Sequence, residues 1–250
     1  MDFRRRLKQV IYSGIYLILF TSVIFGGYFL FKKEVISCFD RIQNQSEEGV
    51  DCGEVCGNIC LEGVKPIQVV STKVITNIVP QVLIEFKNPN QNLGVKKLSY
   101  VINFYDGDDK KIKSSLEETF LYAGESQKYI VRIYPDISNL ARVEIELGDL
   151  TWVKVENFKR PNMLFIGVKH LSTEDEFISE GAIKSEFNLP LKTVTISSVY
   201  FDNFGNVVGL SKTELYDIKA LDESYFKVVY PLDTSSIVKE KTRLYYEAKY

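Results

Sequence analysis

The sequence predicts an all-β chain: two tandem β-sandwiches behind an N-terminal transmembrane helix and a short disulfide-rich segment. Three observations carry this. Runs of alternating apolar and polar residues recur from residue 82 onward, with turn residues between them. Motifs of the first half return in the second at an offset of 96 residues. A single charge-free stretch, Val10 to Phe31, stands near the N-terminus.

The helix comes first in the chain. "VIYSGIYLILFTSVIFGGYFLF" would span roughly 33 Å at about 1.5 Å per residue, against a bilayer core of about 30 Å. Arg4, Arg5, Arg6 and Lys8 precede it, and Lys32 and Lys33, partly offset by Glu34, follow it. The heavier basic flank stays in the cytoplasm, so residues 1–9 are a cytoplasmic tail, residues 10–31 the span through the lipid bilayer, and the rest is extracytoplasmic. Tyr12, Tyr16 and Tyr28 suit the two interfaces. A cleaved signal peptide would have a shorter apolar core and an A-x-A site after it, so a signal anchor is the better fit. "VISC", Val35 to Cys38, loosely resembles a bacterial lipobox, but Lys32, Lys33 and Glu34 interrupt the apolar core before it.

Residues 32–64 form a cysteine-rich segment. It holds all four cysteines, Cys38, Cys52, Cys56 and Cys60, spaced C-x13-C-x3-C-x3-C. On the outer side of a membrane an even number of cysteines reads as two disulfides, with three connectivities open. Structural zinc usually uses C-x2-C or C-x4-C pairs, and an iron–sulfur cluster needs a different spacing. Asp40, Asn44, Glu47, Glu48 and Asp51 supply hard oxygen donors in a small loop. Calcium takes such sets; the alternative is that they shape turns and cap backbone groups. The calcium reading rests on Asp40, Asn44, Glu48 and Asp51, and no other cofactor is expected. The stretch Cys38–Cys60 resembles a short cysteine-rich motif of bacterial surface proteins, C-x-D-G-x-x-N-x-x-E-x-x-x-D-C-G-G-x-C-x-x-C. Cys38, Asp40, Asn44, Glu48, Asp51, Cys52, Gly53, Cys56 and Cys60 match; Arg41, Gln45 and Glu54 depart from it, and one extra residue precedes the last cysteine. The resemblance implies an extracytoplasmic location and no activity.

The two sandwiches follow, at 66–155 and 158–250. Strand-like runs lie at 82–86, 100–106, 129–134, 142–147, 164–168, 194–202, 225–230 and 243–250. "NFYDGDDKKIK" at 103–113 aligns with "VYFDNFGNVVG" at 199–209, and "YIVRIYP" at 129–135 with "YFKVVYP" at 225–231. "TFLYAGES" aligns with "TELYDIKALDES" across a small gap. Each copy is near the usual size of an immunoglobulin-like sandwich. Ile102 and Phe104, and Val194, Ile196 and Tyr200, should face the cores. Asn203 and Gly205 suit a bend that wants positive φ, with "YDGDDKKI" as the acidic counterpart. The link "ENFKRPN" contains Pro161 and should restrict the angle between modules.

"VYFDNFGNVVG" with "TELYD" and "YFKVVYP", and more weakly "NFYDGDDKKIK" with "TFLYAGES", resemble the FxLYD family, small extracytoplasmic β-sandwich domains of bacteria. The resemblance covers most of 66–250. It implies a fold and a location but no reaction.

Catalytic constellations are thin, and catalytic residues are predicted nowhere. The sole histidine, His170, can form no triad or histidine metal pair. No GxGxxG or GxxxxGK[ST] occurs. Asp108–Asp109 and Glu117–Glu118 read as solvated acids rather than a carboxylate dyad, and "STEDE" at 172–176 as a polar hairpin turn. Trp152 reads as a core or inter-domain residue, and the exposed member of the Tyr245–Tyr246 pair as a candidate binding surface. A net charge of −2 offers no basic excess for nucleic acid. The expected function is non-enzymatic: a membrane-anchored surface or envelope protein offering a binding or assembly platform. Its partner would be an envelope protein, cell-wall polymer or a second copy. The alternatives are an accessory subunit of an envelope secretion or pilus machine, and an envelope enzyme with a carboxylate site. A pocket gathering acids of perturbed pKa would favour the enzyme, and a large apolar or edge-strand patch on one module would favour assembly.

Overall fold

The computed structural model describes residues 3–31, 37–44, 46–76, 79–231 and 236–250. The Lys32, Lys33 and Glu34 flank and the first residues of "VISC" lie outside them. The chain divides into two compact units, Met1–Glu62 and Gly63–Tyr250.

Helix α1 runs Phe3–Phe31. Its segment Arg5–Tyr28 is long and apolar enough to cross a membrane, and none of it is buried. A signal sequence would have the same properties. The side chains of Leu17, Ile18, Leu19 and Phe20 are all exposed, so the apolar surface runs around the helix rather than along one stripe. Thr21 turns its hydroxyl back onto the carbonyls of Leu17 and Ile18, both at 2.9 Å, and so needs no solvent partner.

Among the described residues, twelve strands make up the second unit. The first six are β1 (Gln68–Ile75), β2 (Gln81–Lys87), β3 (Leu93–Tyr105), β4 (Lys111–Leu121), β5 (Lys128–Ile133) and β6 (Arg142–Lys154). They form two antiparallel sheets in the orders β1–β2–β5 and β4–β3–β6. The next six are β7 (Met163–Ser172), β8 (Phe177–Ser185), β9 (Leu191–Phe201), β10 (Val207–Ile218), β11 (Glu223–Tyr230) and β12 (Arg243–Lys249). Their sheets run β11–β8–β7 and β10–β9–β12, the first pattern with six added to every strand number. The alternating runs of the sequence fall on eight of these strands. The other four are β1, β4, β8 and β10. β1, β4 and β10 are edge strands rich in polar residues, and β8 packs through the small residues Ser179, Gly181 and Ser185. None of the four shows the large-apolar alternation that marks a half-buried strand.

Both predicted hairpins form by one device. The carboxylate of Asp106 accepts the N–H of Asp108 (3.0 Å) and Lys110 (2.9 Å). Asp202, 96 residues on, accepts the N–H of Phe204 and Asn206, both at 2.8 Å. Such Asx turns satisfy backbone donors that the bend leaves over. Of the two residues the sequence offered for positive φ in the second copy, Gly205 (φ 84°) adopts it and Asn203 does not; in the first copy the left-handed residue is Asp109 (φ 60°) rather than Gly107. Asp tolerates that region better than most side chains.

Each sandwich closes on its own core. Val82, Ile84 and Phe86 of β2 meet Leu98, Tyr100, Ile102 and Phe104 of β3, with Phe86 edge-on to Tyr100 at 5.3 Å. In the second sandwich Ile183 and Phe226 meet Val194 and Ile196. Phe177, Tyr200 and Tyr230 form an adjoining cluster. Ile102, Phe104, Val194, Ile196 and Tyr200 all face inward as the alternation predicted.

The other face of two sheets is buried as well. Ile75, Leu83 and Val131 of sheet β1–β2–β5 pack on Val199 and Leu210 of sheet β10–β9–β12. The two sandwiches therefore stack sheet on sheet, four layers deep. β2 reads buried, buried, buried, buried along Gln81–Ile84 because one parity enters the core and the other the seam. Full burial of each aliphatic side chain is worth about 1.5–3 kcal/mol. Gln81 spans the seam by accepting the N–H of Leu210 at 2.8 Å. At one end Phe158 of the link is buried against Tyr122 (4.6 Å, stacked) and Phe120. The link is thus pinned by packing as well as stiffened by Pro161.

Candidate binding surfaces

In the cysteine-rich segment the disulfides pair Cys38 with Cys56 and Cys52 with Cys60, one of the three connectivities left open. No cysteine is free, so no thiolate is available to a metal. Glu47 lies against the Cys38–Cys56 bridge, with its carboxylate 3.2 Å from Cys56 Sγ, but that sulfur is spent in the disulfide. The acidic residues bind backbone. Asp51 accepts the N–H of Asp40 (3.0 Å) and Arg41 (2.9 Å). Asp40 accepts the N–H of Ile42 and the side-chain amide of Asn44. Glu47 accepts the N–H of Asn44 and Asp51 at 3.3 Å. Asp40, Asn44 and Asp51 thus belong to one hydrogen-bonded ring, while Glu48 reaches the N–H of Glu54 (3.4 Å).

The remaining sequence candidates disperse. Asp109 pairs with Arg142 at 2.6 Å, Glu118 with Lys97 at 2.6 Å and Glu117 with Arg132 at 3.1 Å. Consecutive strand residues face opposite ways, which separates Glu117 from Glu118. His170 is half-buried: its Nδ1 lies 2.9 Å from Ser179 Oγ, and burial pushes its pKa down. Thr173 and Glu176 close the 172–176 turn with three mutual hydrogen bonds. Trp152 packs on the first core. Neither tyrosine of the 245–246 pair is free. Tyr245 packs on Tyr129 across the seam at 4.3 Å, and Tyr246 donates to Pro161 O at 3.3 Å. The sequence could not show this, because the surface that covers Tyr245 lies in the other module.

A charged network crosses the seam. Lys128, fully buried, lies 3.4 Å over the Phe120 ring, donates to Phe120 O and pairs with Glu247 of β12 at 3.2 Å. Burial pushes its pKa down against the pull of Glu247 and Glu125. Burial likewise raises the carboxyl of Glu125, which accepts the N–H of Tyr122 at 2.9 Å. Tyr122 donates its hydroxyl to Ala248 O at 2.7 Å, a second bond from the first sandwich to β12.

Two recesses open along this seam. One, of about 330 Å³, gathers Glu117, Glu214 and Glu247 with Arg132 and Lys212. Glu214 is the acid there with a shifted pKa. The Tyr216 hydroxyl and Lys212 hold it below the usual range, the opposite of what a proton donor needs. The other, of about 470 Å³, is lined by Lys96, Lys97, Thr119, Phe120, Thr151 and Lys249, with Glu118 and Glu247.

The stack leaves one face of each outer sheet uncovered. On sheet β4–β3–β6 that face carries Glu118, Glu144 and Glu146 around Val101 and Leu116. On sheet β11–β8–β7 it carries Leu164 (44% exposed), Ile166 (40%), Leu171 (45%) and Tyr225 (63%). Ile166, Ala182 and Tyr225 lie in cross-strand register there.

No protein-family model matches the chain, and no curated protein sequence matches it. Among solved structures it is similar to red sea bream transglutaminase, at 11% identity over 78% of this chain and a TM-score of 0.25. It spans only 30% of that enzyme. The tandem CBM22-1–CBM22-2 domain of Paenibacillus barcinonensis Xyn10C matches 76% of this chain and 88% of its own, at 9% identity and a TM-score of 0.13. Likeness at that level carries no functional argument.

Proposed function

We propose that the chain is a non-enzymatic assembly platform, anchored by α1 with its β unit outside the membrane. The observation that supports it is the apolar surface left exposed on the free faces. On β11–β8–β7, Leu164, Ile166 and Tyr225 lie together around Ala182, with Leu171 beyond the charged row Lys169, Glu180 and Lys227, and on β4–β3–β6 Leu116 stands exposed beside Val101, whereas an inert spacer needs polar faces at both ends. Pairing of all four cysteines supports an oxidising location, and an unburied apolar α1 supports a signal anchor. The FxLYD resemblance belongs to this reading. So does calcium at Asp40, Asn44, Glu48 and Asp51: a chelator should then weaken amide protection across 37–62.

The test places a photo-crosslinking residue at Ile166 or, as the control, at Glu144 of the opposite face. Crosslinks from Ile166 alone, to a protein outside the membrane, support the platform. Equal yields from both positions argue for a spacer. Protease added to unbroken cells should cleave the β unit, and its protection would overturn the orientation.

A further inference from the structure

We infer that the cleft between Lys96, Lys97 and Lys249 is a binding site for a phosphate-bearing ligand, one that exists only while the two sandwiches are docked. Adjacent strand residues ordinarily face opposite sides of a sheet. Here β3 carries a bulge: its register against β6 shifts between Val95 and Lys97, and against β4 between Val95 and Leu98. Val95 and Leu98 stay in the core, and the two lysines between them both line the cleft. Bulges commonly re-aim side chains in this way.

The charge does not cancel. Glu118 is engaged by Lys97 at 2.6 Å, and Glu247 by the buried Lys128 at 3.2 Å. Lys96 and Lys249 have no acidic partner among the described residues, so two cations remain uncompensated in a chain of net charge −2. Thr119, which lines the cleft, donates its hydroxyl to Phe120 O over a long 3.4 Å, a weak bond that a phosphate oxygen would compete for. A volume of about 470 Å³ admits a ligand of several polar groups. Lysines and hydroxyls, without an arginine fork, suit a tetrahedral phosphate approached from several directions better than a planar carboxylate. Lys96 and Lys97 come from the first sandwich and Lys249 from the second, so the site is assembled by the seam.

The test uses the full chain in uncharged detergent micelles, titrated calorimetrically with inorganic pyrophosphate at low salt. Saturable binding should weaken about tenfold or more in Lys96→Glu/Lys249→Glu. It should be unchanged in Lys192→Glu, an exposed lysine elsewhere, and should fall as salt rises. Lys96→Gln/Lys249→Gln repeats the loss without introducing repulsion, and a thermal melt checks that both variants fold. A parallel titration with short glycerol-phosphate oligomers distinguishes a free diphosphate from a phosphodiester chain; tighter binding of either supports the site. No saturable binding, an equal loss in Lys192→Glu, or preference for oligogalacturonate over every phosphate probe overturns it. The site needs only the docked sandwiches, so such a failure leaves the platform reading standing, and failure of that reading leaves the site intact.

Discussion

The cysteine-rich segment and the β unit hold their shapes by opposite means. Among the described residues of 37–62 no hydrophobic side chain is buried, and two disulfides with a ring of backbone-capping carboxylates take the place of a core. The β unit has no covalent link and rests on two sandwich cores plus a third apolar layer at the seam. The difference follows from size: a segment this short cannot remove enough apolar surface from water to offset its chain entropy, and a unit of twelve strands can.

Perturbations should therefore separate cleanly. The largest effect is expected from Phe104→Ala, which opens a cavity in the first core and should cost the β unit about 3–5 kcal/mol. Urea unfolding followed by the fluorescence of Trp152, the only tryptophan, would register it, while amide protection across 37–62 stays unchanged. Replacing Cys52 and Cys60 by serine should do the reverse. It should cost the small segment about 2–5 kcal/mol, read as loss of protection in 37–62, with the Trp152 transition unmoved. A shift in both signals from either change would end the comparison.

Lys128→Met should cost about 1–3 kcal/mol, because Glu247 loses its ion-pair partner and buried Glu125 keeps only Arg160, at 3.8 Å, as a cation. It also carries a pH signature. Burial depresses the folded pKa of Lys128 below its usual 10.5. Between the two values the unfolded chain holds the proton and the folded chain does not, so raising the pH favours folding. Wild type should gain stability as pH climbs towards 10.5, and Lys128→Met should lose that slope. The smallest effect belongs to Asp202→Ala. Asn206 and nearby backbone N–H groups hold the Asp202 carboxyl below its usual 3.8, so its contribution is present above that value and fades as acid reaches the depressed pKa. The variant should melt slightly earlier than wild type at neutral pH, and the gap should close in acid.

Much of the β unit was legible because its signals are local. Alternation marked the core-facing residues of β3 and β9, and the 96-residue offset carried Asp106 onto Asp202. The seam was not legible. It is made by residues of the second parity, Leu83, Val131, Val199 and Leu210, one to a strand and drawn from both sandwiches. Each looks like an isolated apolar residue on a face meant for water. Tyr245 misled for the same reason. The disulfide pairing depended on how the loop folds, which spacing does not determine. The lysine cleft left one faint trace, two consecutive lysines inside an apolar strand, where strict alternation had to break.

The seam also sets an order of events during biosynthesis. Tyr122 and Ala248, joined across it, are 126 residues apart. At about 5–20 residues per second, the first sandwich emerges on the order of ten seconds before the strand that seals it. For that interval Leu83 and Val131 are bare and Lys128 lacks its counter-ion. The nascent chain is then most exposed to sticking and most in need of an attendant chaperone.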